Sequence, residues 1–203
     1  MTKFALAIML LVLAGCAGMN PNPGERTADT NWEMGNYSKS LEVAKTAAER
    51  GDPWAQLRMG IYYNSGYGVE VDIPKAVEWY KKAARQLEEG KWAEGYIVGA
   101  TGKYGYFGQK NDALIAQYRL ADIYFNGVGV EKDLILSYLL INNVIEKSNG
   151  EPQVFFCCDW SGGRWFRQTQ FTELKAKLEE TMSQEQLKRA RNMAANWSPK
   201  NDL

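Results

Sequence analysis

Apolar residues recur at helical spacing in several parts of this chain. In one segment Ala55, Met59 and Tyr62 lie at intervals of four and three residues, which is the pattern of an amphipathic helix. The same periodicity predicts helices over residues 36–50, 53–65, 73–88, 112–126, 133–147, 168–180 and 183–197. The chain is therefore predicted to be all-α.

Two of these helices, together with the turns that follow them, are closely similar in sequence. Residues 55–72 and 116–133 share nine of eighteen positions at a constant offset of 61. Internal similarity of this kind is typical of a helical repeat array, in which each unit buries its apolar face against its neighbours. Such arrays usually bind other proteins and seldom carry chemistry, so a binding protein is the first expectation.

Glycine and aspartate interrupt both units at the same places. Gly66 and Gly127 end the first helix of each unit, where a left-handed cap favours a residue without Cβ. A second glycine two positions later allows a tight turn, and an aspartate then caps the next helix. A small residue inside the first helix lets a neighbouring helix approach closely. The residues that define the repeat are Gly60, Gly66, Gly68, Asp72, Gly127, Gly129 and Asp133.

The unit resembles the Sel-one-like repeat, a short relative of the tetratricopeptide repeat. The first unit matches the family pattern at Gly66-Tyr67-Gly68-Val69 and at Lys75-Ala76, with Met59 in place of leucine. The second unit departs from it with Ala121 for glycine and Leu136-Ser137 for Lys-Ala. The resemblance implies a short right-handed α-solenoid of helix-turn-helix repeats, with full repeats at about residues 51–87 and 112–147 and a C-terminal capping helix.

The first sixteen residues have the pattern of a secretory signal. Lys3 precedes an apolar run of ten residues, too short to span a bilayer, and small residues follow it before Cys16. The residues from Leu13 to Cys16 resemble a bacterial lipobox, which implies cleavage of residues 1–15 and acylation of Cys16, for example with palmitate. Because Ala17 follows the cysteine, the resemblance implies an anchor in the outer membrane, facing the periplasm. The alternative is an ordinary signal peptide with an incidental cysteine.

Composition divides the rest of the chain into a tether and a repeat domain. Residues 16–30 are rich in Pro, Asn and Gly and lack periodicity, which predicts a flexible tether. Residues 31–203 form the predicted repeat domain, in which residues 36–50 look like the second helix of a repeat whose first half is missing or degenerate. Removing Lys3 leaves 23 of 24 basic residues against 24 acidic ones. No clustered basic face points to a nucleic-acid partner.

Residues 89–111 lengthen the connection between the two units and are rich in glycine. One interpretation is an extra helix and loop that packs its aromatic side chains on the array. The other is an exposed recognition element, because Tyr and Trp dominate interface hot spots. The candidate partner contacts are Trp92, Tyr96, Tyr104, Tyr106 and Phe107.

A second interruption, residues 149–167, combines a short apolar run, two adjacent cysteines and a Ser-Gly-Gly turn. This pattern predicts an irregular, hairpin-like excursion. Cys157 and Cys158 are predicted to be buried thiols, the alternatives being a strained disulfide between them or a bond from one of them to another chain.

The chain of 203 residues contains no histidine. Without histidine the chain cannot use Ser-His-Asp or Cys-His activation of a nucleophile, and it lacks a ligand of most catalytic zinc sites. We therefore expect neither an enzyme nor a bound cofactor or metal. The leading interpretation is a membrane-anchored adaptor that binds a protein through the concave face of its helices. One alternative, suggested by the resemblance, is an immunity protein that inhibits a secreted antibacterial effector enzyme. Another is a cell-wall-related enzyme or ligand-binding module.

Overall fold

A computed structural model describes residues 28, 30–32, 34–88, 94–99, 102–148, 153–154 and 166–203. The helices are α1 (Tyr37–Glu49), α2 (Pro53–Ser65), α3 (Ile73–Ala84), α4 (Gly108–Asn126), α5 (Leu134–Lys147), α6 (Gln168–Thr181), α7 (Gln184–Ala194) and α8 (Pro199–Asp202). A 3-10 helix, Arg85–Glu88, extends α3. The strands are β1 (Glu94–Gly99), β2 (Gly102–Phe107), β3 (Gln153–Val154) and β4 (Phe166–Arg167). The seven helices that periodicity predicts are confirmed, within a few residues at their ends.

The helices stack in chain order. Each of α1 to α5 packs against the next, and α2 also packs against α4, so the first helices of the two units are neighbours. Both α6 and α7 pack on α5 and close the array at its C-terminal end. The predicted helical repeat architecture is confirmed.

The predicted apolar stripes form the core. Ala55, Met59 and Tyr62 of α2 are buried, and so are their counterparts Ala116 and Leu120 in α4. The inward stripe of α3 is buried along its whole length; its members are Ala76, Trp79, Tyr80, Ala83 and Ala84. Burial of these faces supplies the main favourable term that holds neighbouring helices together.

The turns have the predicted geometry. Gly66 and Gly127 cap α2 and α4 with φ of +74° and +68°, a region that side chains with Cβ rarely adopt. The Oδ1 atom of Asp72 accepts a hydrogen bond from Lys75 N at 3.0 Å, and Asp133 Oδ1 accepts one from Leu136 N at 2.9 Å. Each aspartate therefore caps the second helix of its unit, as predicted.

The second glycine of each turn lies against the preceding second helix. A Cβ atom on Gly68 would lie 2.5 Å from Ser38 N, at the start of α1, and one on Gly129 would lie 2.6 Å from Ile73 Cβ, at the start of α3. Since α1 meets the first turn as α3 meets the second, α1 takes the place of the second helix of a preceding unit. The prediction that residues 36–50 form the second helix of a repeat is therefore confirmed.

The chain is packed from an earlier residue than predicted. Ala28 lies in the range predicted to be tether, yet it is helical and buried, and its carbonyl oxygen accepts a hydrogen bond from Ser40 Oγ at 2.6 Å. Trp32 is also buried. For Ala28 the tether prediction is wrong, because its burial depends on a contact with a residue twelve positions away, which local composition does not encode.

In the described part of the insertion, residues 94–99 and 102–107 pair as a β-hairpin, so the interpretation of an extra helix is wrong there. In the antiparallel register Gly95 is opposite Tyr106 and Ile97 is opposite Tyr104. Glycine disfavours a helix interior, whereas Tyr, Ile and Val favour strands, so the composition of residues 94–107 fits this outcome. The second excursion is hairpin-like as predicted, since β3 pairs with β4. Cys157 and Cys158 lie outside the described residues.

Candidate interaction surface

Helix α2 is enclosed by its neighbours except along one narrow stripe. Nine of its thirteen residues are buried, and Trp54, Ile61 and Asn64 are half-buried along one side. On the neighbouring helix α4, Tyr118, Asp122 and Phe125 are half-buried in the same way. These six residues are here called the A-helix face.

Two positions of the A-helix face recur from one unit to the next. Ile61 and Asp122 occupy the same repeat position, and so do Asn64 and Phe125, because each pair is separated by the offset of 61. Two helices in contact thus present equivalent positions to the same side of the array. The face is a surface of the array as a whole, and it combines apolar, aromatic and polar side chains.

A buried arginine fixes one end of this face. The guanidinium carbon of Arg58 lies 5.5 Å from the ring centroid of Trp32 and 5.2 Å from that of Trp54, and its side chain is buried. Cation-π contacts of this kind are strongest where water is excluded. Trp32 also contacts the rings of Tyr37, Tyr62 and Tyr67. The cluster ties the chain before α1 to α2 and holds Trp54 in place.

Buried glutamines join the units of the array. Gln56 Nε2 donates to Ala48 O at 3.2 Å, at the end of α1, and Gln117 Nε2 donates to Ala84 O at 3.4 Å, at the end of α3. Gln117 Oε1 in turn accepts from Asn143 Nδ2 at 2.7 Å. Buried side-chain amides require such partners, so the same residue type makes the same bond in both units.

Two titratable groups near the face have shifted pKa values. Burial raises the pKa of Tyr118 above its ordinary value, and the neighbouring Asp122 raises it further. A hydrogen bond with Tyr63 raises the pKa of Lys75. Near neutral pH the phenol therefore keeps its proton and the ammonium its charge. The Tyr118 ring contacts Phe171 of α6.

Four of the five candidate contacts predicted in the insertion lie on the β1–β2 hairpin. The register places Tyr104 and Tyr106 on one face of the hairpin, together with Ile97. Tyr96 and Phe107 occupy positions on the opposite face. Trp92 and Cys16 lie outside the described residues. The predicted contacts are therefore divided between two faces, and one flat partner surface meets at most one of them.

The 3-10 helix that extends α3 is anchored in the array. Gln86, in the 3-10 helix before β1, donates from Nε2 to Gly51 O at 3.0 Å and to Gln56 Oε1 at 2.6 Å. Arg85 donates to the carbonyl oxygen of Leu203, next to α8. The 3-10 helix thus lies at the edge where α1 connects to α2, opposite the glycine turns.

Two kinds of site are absent from the part of the chain that the structure describes. It contains no group of three or more His, Cys, Asp or Glu side chains arranged to hold a metal ion. Within the same residues, no helix is both long enough and apolar enough to cross a bilayer.

Sequence reasoning missed the Arg58 cluster and the glutamine contacts. The available signal was the self-similarity itself, since Gln and Arg are among the nine positions that both units share. Polar residues repeated on a helix that is otherwise buried indicate a structural role between units. The partners of these side chains, however, come from helices that are distant in sequence.

Comparison with known proteins agrees with this architecture. The family model of the Sel1 repeat matches residues 55–86 and 114–140. The chain aligns with the crystal structure of a protective antigen present in uropathogenic Escherichia coli strains, which displays an SLR fold. The TM-score is 0.57 at 20% identity, and the alignment covers 84% of this chain and 28% of the antigen. A Sel1 repeat protein from Oxalobacter formigenes aligns at 21% identity with a TM-score of 0.46, covering 63% of this chain and 42% of that protein. No curated protein matches the chain.

The chain thus contains two segments, residues 55–86 and 114–140, that match the Sel1 repeat model. It spans less than a third of the length of the Escherichia coli antigen and less than half of the Oxalobacter protein. Sel1 repeats act as modules for protein–protein interaction and are typically non-catalytic scaffolds.

Proposed function

We propose that this protein is a membrane-anchored adaptor that binds another protein through its A-helix face. The observation that carries the proposal is the recurrence of two half-buried positions, 61/122 and 64/125, on the packed helices α2 and α4. A third helix, α6, contacts that surface through Phe171 and Tyr118.

The chemistry of the face suits a protein partner. Trp54, Tyr118 and Phe125 offer aromatic area of the type that dominates interface hot spots. Asn64 and Asp122 supply polar groups beside them. The Arg58 cluster and the inter-unit glutamines hold the helices before any partner arrives, and such preorganisation lowers the entropy lost on binding.

The anchor is proposed from the N-terminal sequence. Acylation at Cys16 after removal of residues 1–15 would place the chain on the outer membrane, facing the periplasm of a bacterial cell. Residues between Cys16 and Ala28 would then form the tether. A single acyl chain binds membranes only marginally, and stable anchoring takes at least two such signals.

Photo-cross-linking in cells tests the protein-binding proposal. The photoreactive residue p-benzoylphenylalanine is introduced into the full chain at Asn64 or Asp122, and at the exposed position Lys188 on α7 as the matched control. We expect the same partner protein to be captured from positions 64 and 122 and not from 188. Equal capture from all three positions, or none from 64 and 122, would contradict the A-helix face as the binding surface.

The captured partner also distinguishes the roles. An envelope protein would support the adaptor. A secreted antibacterial enzyme that loses activity on binding would instead indicate the immunity role, with the β1–β2 hairpin as the inserting element. Two double variants then test the hairpin, Tyr104→Ala/Tyr106→Ala on one face and Tyr96→Ala/Phe107→Ala on the other. If one face binds, its pair should weaken binding about 30-fold or more, as one hot-spot residue of about 2 kcal/mol does, and the other pair should not.

A further inference from the structure

The residues directly before α1 end in the same way as a first helix of the array. Gly35 has a φ of +75°, close to the value at the glycine that ends α2. Across Gly35 the amide of Asn36 donates to Asn31 O at 2.8 Å. At the end of α2 the amide of Tyr67 donates to Tyr62 O at 3.1 Å. Each bond reaches back five residues, which is the pattern of a Schellman cap. The chain before α1 therefore lies where a first helix would precede it.

Ala28 and residues 30–32, here called the N-terminal segment, dock on both α1 and α2. Ser40 Oγ in α1 donates to Ala28 O at 2.6 Å and is hydrogen-bonded to Tyr62 OH of α2 at 2.7 Å. The Trp32 ring lies 5.3 Å from the ring of Tyr62. Both Ala28 and Trp32 are buried. The segment is thus held by one carbonyl contact and one large ring.

Arg58 connects the N-terminal segment to the A-helix face. It lies four residues after Trp54, on the same side of α2. Its guanidinium carbon is 5.2 Å from the Trp54 ring centroid and 5.5 Å from that of Trp32. One buried cation therefore contacts a ring of the segment and a ring of the face. Cation-π contacts are stronger where water is excluded than at exposed sites. Undocking of Trp32 would admit water to the guanidinium and weaken its contact with Trp54.

The N-terminal segment is short enough to open without unfolding the array. Helix α2, by contrast, packs against three other helices. Proteins open locally, in segments with few buried contacts, at a lower free energy than global unfolding requires. Trp54 is half-buried in the first turn of α2, so its ring can change orientation while the helices stay packed. Docking of the segment can therefore control Trp54 separately from the fold.

We propose that Trp32 is a positioning residue for the A-helix face. While the N-terminal segment is docked, Arg58 holds Trp54 in the orientation that a partner meets. When the segment is released, the Trp54 ring turns freely and the face binds more weakly, because the partner must then order that side chain itself. This inference rests on the proposed function of the face. It makes a residue outside the binding surface a determinant of its affinity.

Hydroxyl-radical oxidation of the full chain tests the positioning role without a partner. Mass spectrometry measures the oxidation rate of Trp54, and Trp197, a half-buried tryptophan between α7 and α8, is the internal control. In Trp32→Ala we expect the rate at Trp54 to increase about fivefold, the factor by which exposure to water weakens a cation-π contact. The rate at Trp197 should not change. Trp32→Phe, which keeps an aromatic ring beside Arg58, should restore most of the protection.

Leu187→Ala is the matched control for lost stability. Leu187 is a buried residue of α7, and its truncation leaves a cavity at the C-terminal end of the array. It should lower the melting temperature, as Trp32→Ala does, but leave the oxidation of Trp54 unchanged. If Trp32→Ala does not fold, as judged by circular dichroism, Ser40→Ala takes its place. This change removes the hydrogen bond to Ala28 O and leaves every ring in place, and it should also raise the oxidation of Trp54.

Photo-cross-linking in cells connects the positioning to binding. The photoreactive p-benzoylphenylalanine is placed at Asn64 or Asp122, and the yield of captured protein is normalised to the amount of the chain. Trp32→Ala should lower this yield at least about fivefold, which is the lower end of the usual coupling between two sites. Trp32→Phe should restore the yield, and Leu187→Ala should leave it unchanged.

The outcomes separate this inference from the proposed function. Equal oxidation of Trp54 in the wild type and in Trp32→Ala, or an equal increase in Leu187→Ala, would overturn the positioning role. Faster oxidation with unchanged capture from positions 64 and 122 would overturn the link to binding and leave the proposed function in place. Absence of capture when Trp32 is intact would overturn the proposed function and that link together. The oxidation rates would still decide whether Trp32 positions Trp54.

Discussion

The contact between Gly60 and Tyr80 offers the most direct test of how the two helices of a unit are packed. Gly60 lies inside α2, and a Cβ atom placed on it would overlap Cε1 and Cδ1 of the Tyr80 ring and lie 2.9 Å from Cγ. Carbon atoms normally approach to about 3.5–4.0 Å. Tyr80 is buried, so its ring has no solvent to move into. Gly60→Ala therefore forces α2 and α3 apart.

The size of the effect follows from two opposing terms. Alanine in place of glycine stabilises a helix interior by about 1 kcal/mol. Overpacking a buried site costs about 1–3 kcal/mol, and this site is at the upper end because the overlap involves a rigid ring. We expect a net loss of about 1–2 kcal/mol in the free energy of unfolding. For a chain of this length the midpoint temperature should fall by about 2–8 °C.

The second unit provides the compensating change. Ala121 and Ile141 occupy the repeat positions of Gly60 and Tyr80, and both are fully buried. Tyr80→Ile alone should cost about 2–4 kcal/mol, since it leaves a cavity. In Gly60→Ala/Tyr80→Ile the new methyl group fills part of that space, so the double variant should be at least about 1 kcal/mol more stable than the sum of the single losses predicts. Urea unfolding followed by circular dichroism measures the cycle. Unchanged or higher stability of Gly60→Ala, or strict additivity, would refute the reasoning.

Three further predictions concern a turn, the anchor and a buried phenol. Gly68→Ala should lower the free energy of unfolding, followed in thermal melts, by about 1 kcal/mol more than Gly51→Ala. Both glycines have positive φ, but only Gly68 has backbone atoms where Cβ would lie. Equal losses would mean that the turn is not in close contact with α1. Cys16→Ser should leave the chain unprocessed or soluble, and an unaltered lipid mass and membrane fraction would contradict the lipobox. Because burial raises the pKa of Tyr80 above its ordinary value near 10, the unfolded chain loses this proton first. Stability is then fully present below about pH 10 and falls above it, so Tyr80→Phe should flatten the decline in urea midpoint between about pH 9 and pH 11; an equally steep decline would assign it to other groups.

The elements that sequence predicted well depend on local chemistry. A positive φ at Gly66 and an aspartate side chain capping α3 are consequences of residues within a few positions of each other. The internal repeat supports these predictions independently, because the same residues occur at the same positions in both units and form the same turn twice. This is why the helix ends and turns, and the half-unit at α1, follow from the pattern alone.

The features that sequence did not predict depend on distant residues or on competition between local preferences. The buried position of Ala28 requires Ser40, and the place of Arg58 requires two tryptophans from different segments. The hairpin was misread because its aromatic residues suit either a packed helix or strands. The glycines of this segment argue against a helix only when their unfavourable helix propensities are summed over the whole segment. Strand pairing, in contrast to helix formation, becomes favourable only when the two strands meet.

The two units carry unlike residues on the proposed binding face. The nine residues that the units share include the turn glycines, the capping aspartates and the glutamines that join the units. None of the nine belongs to the A-helix face, where Ile61 is replaced by Asp122 and Asn64 by Phe125. The turn, capping and inter-unit glutamine positions have the same requirement in both units, and so keep the same residue. Positions on a binding surface meet different parts of a partner, and a face with unlike residues at equivalent positions is suited to one particular partner in one orientation.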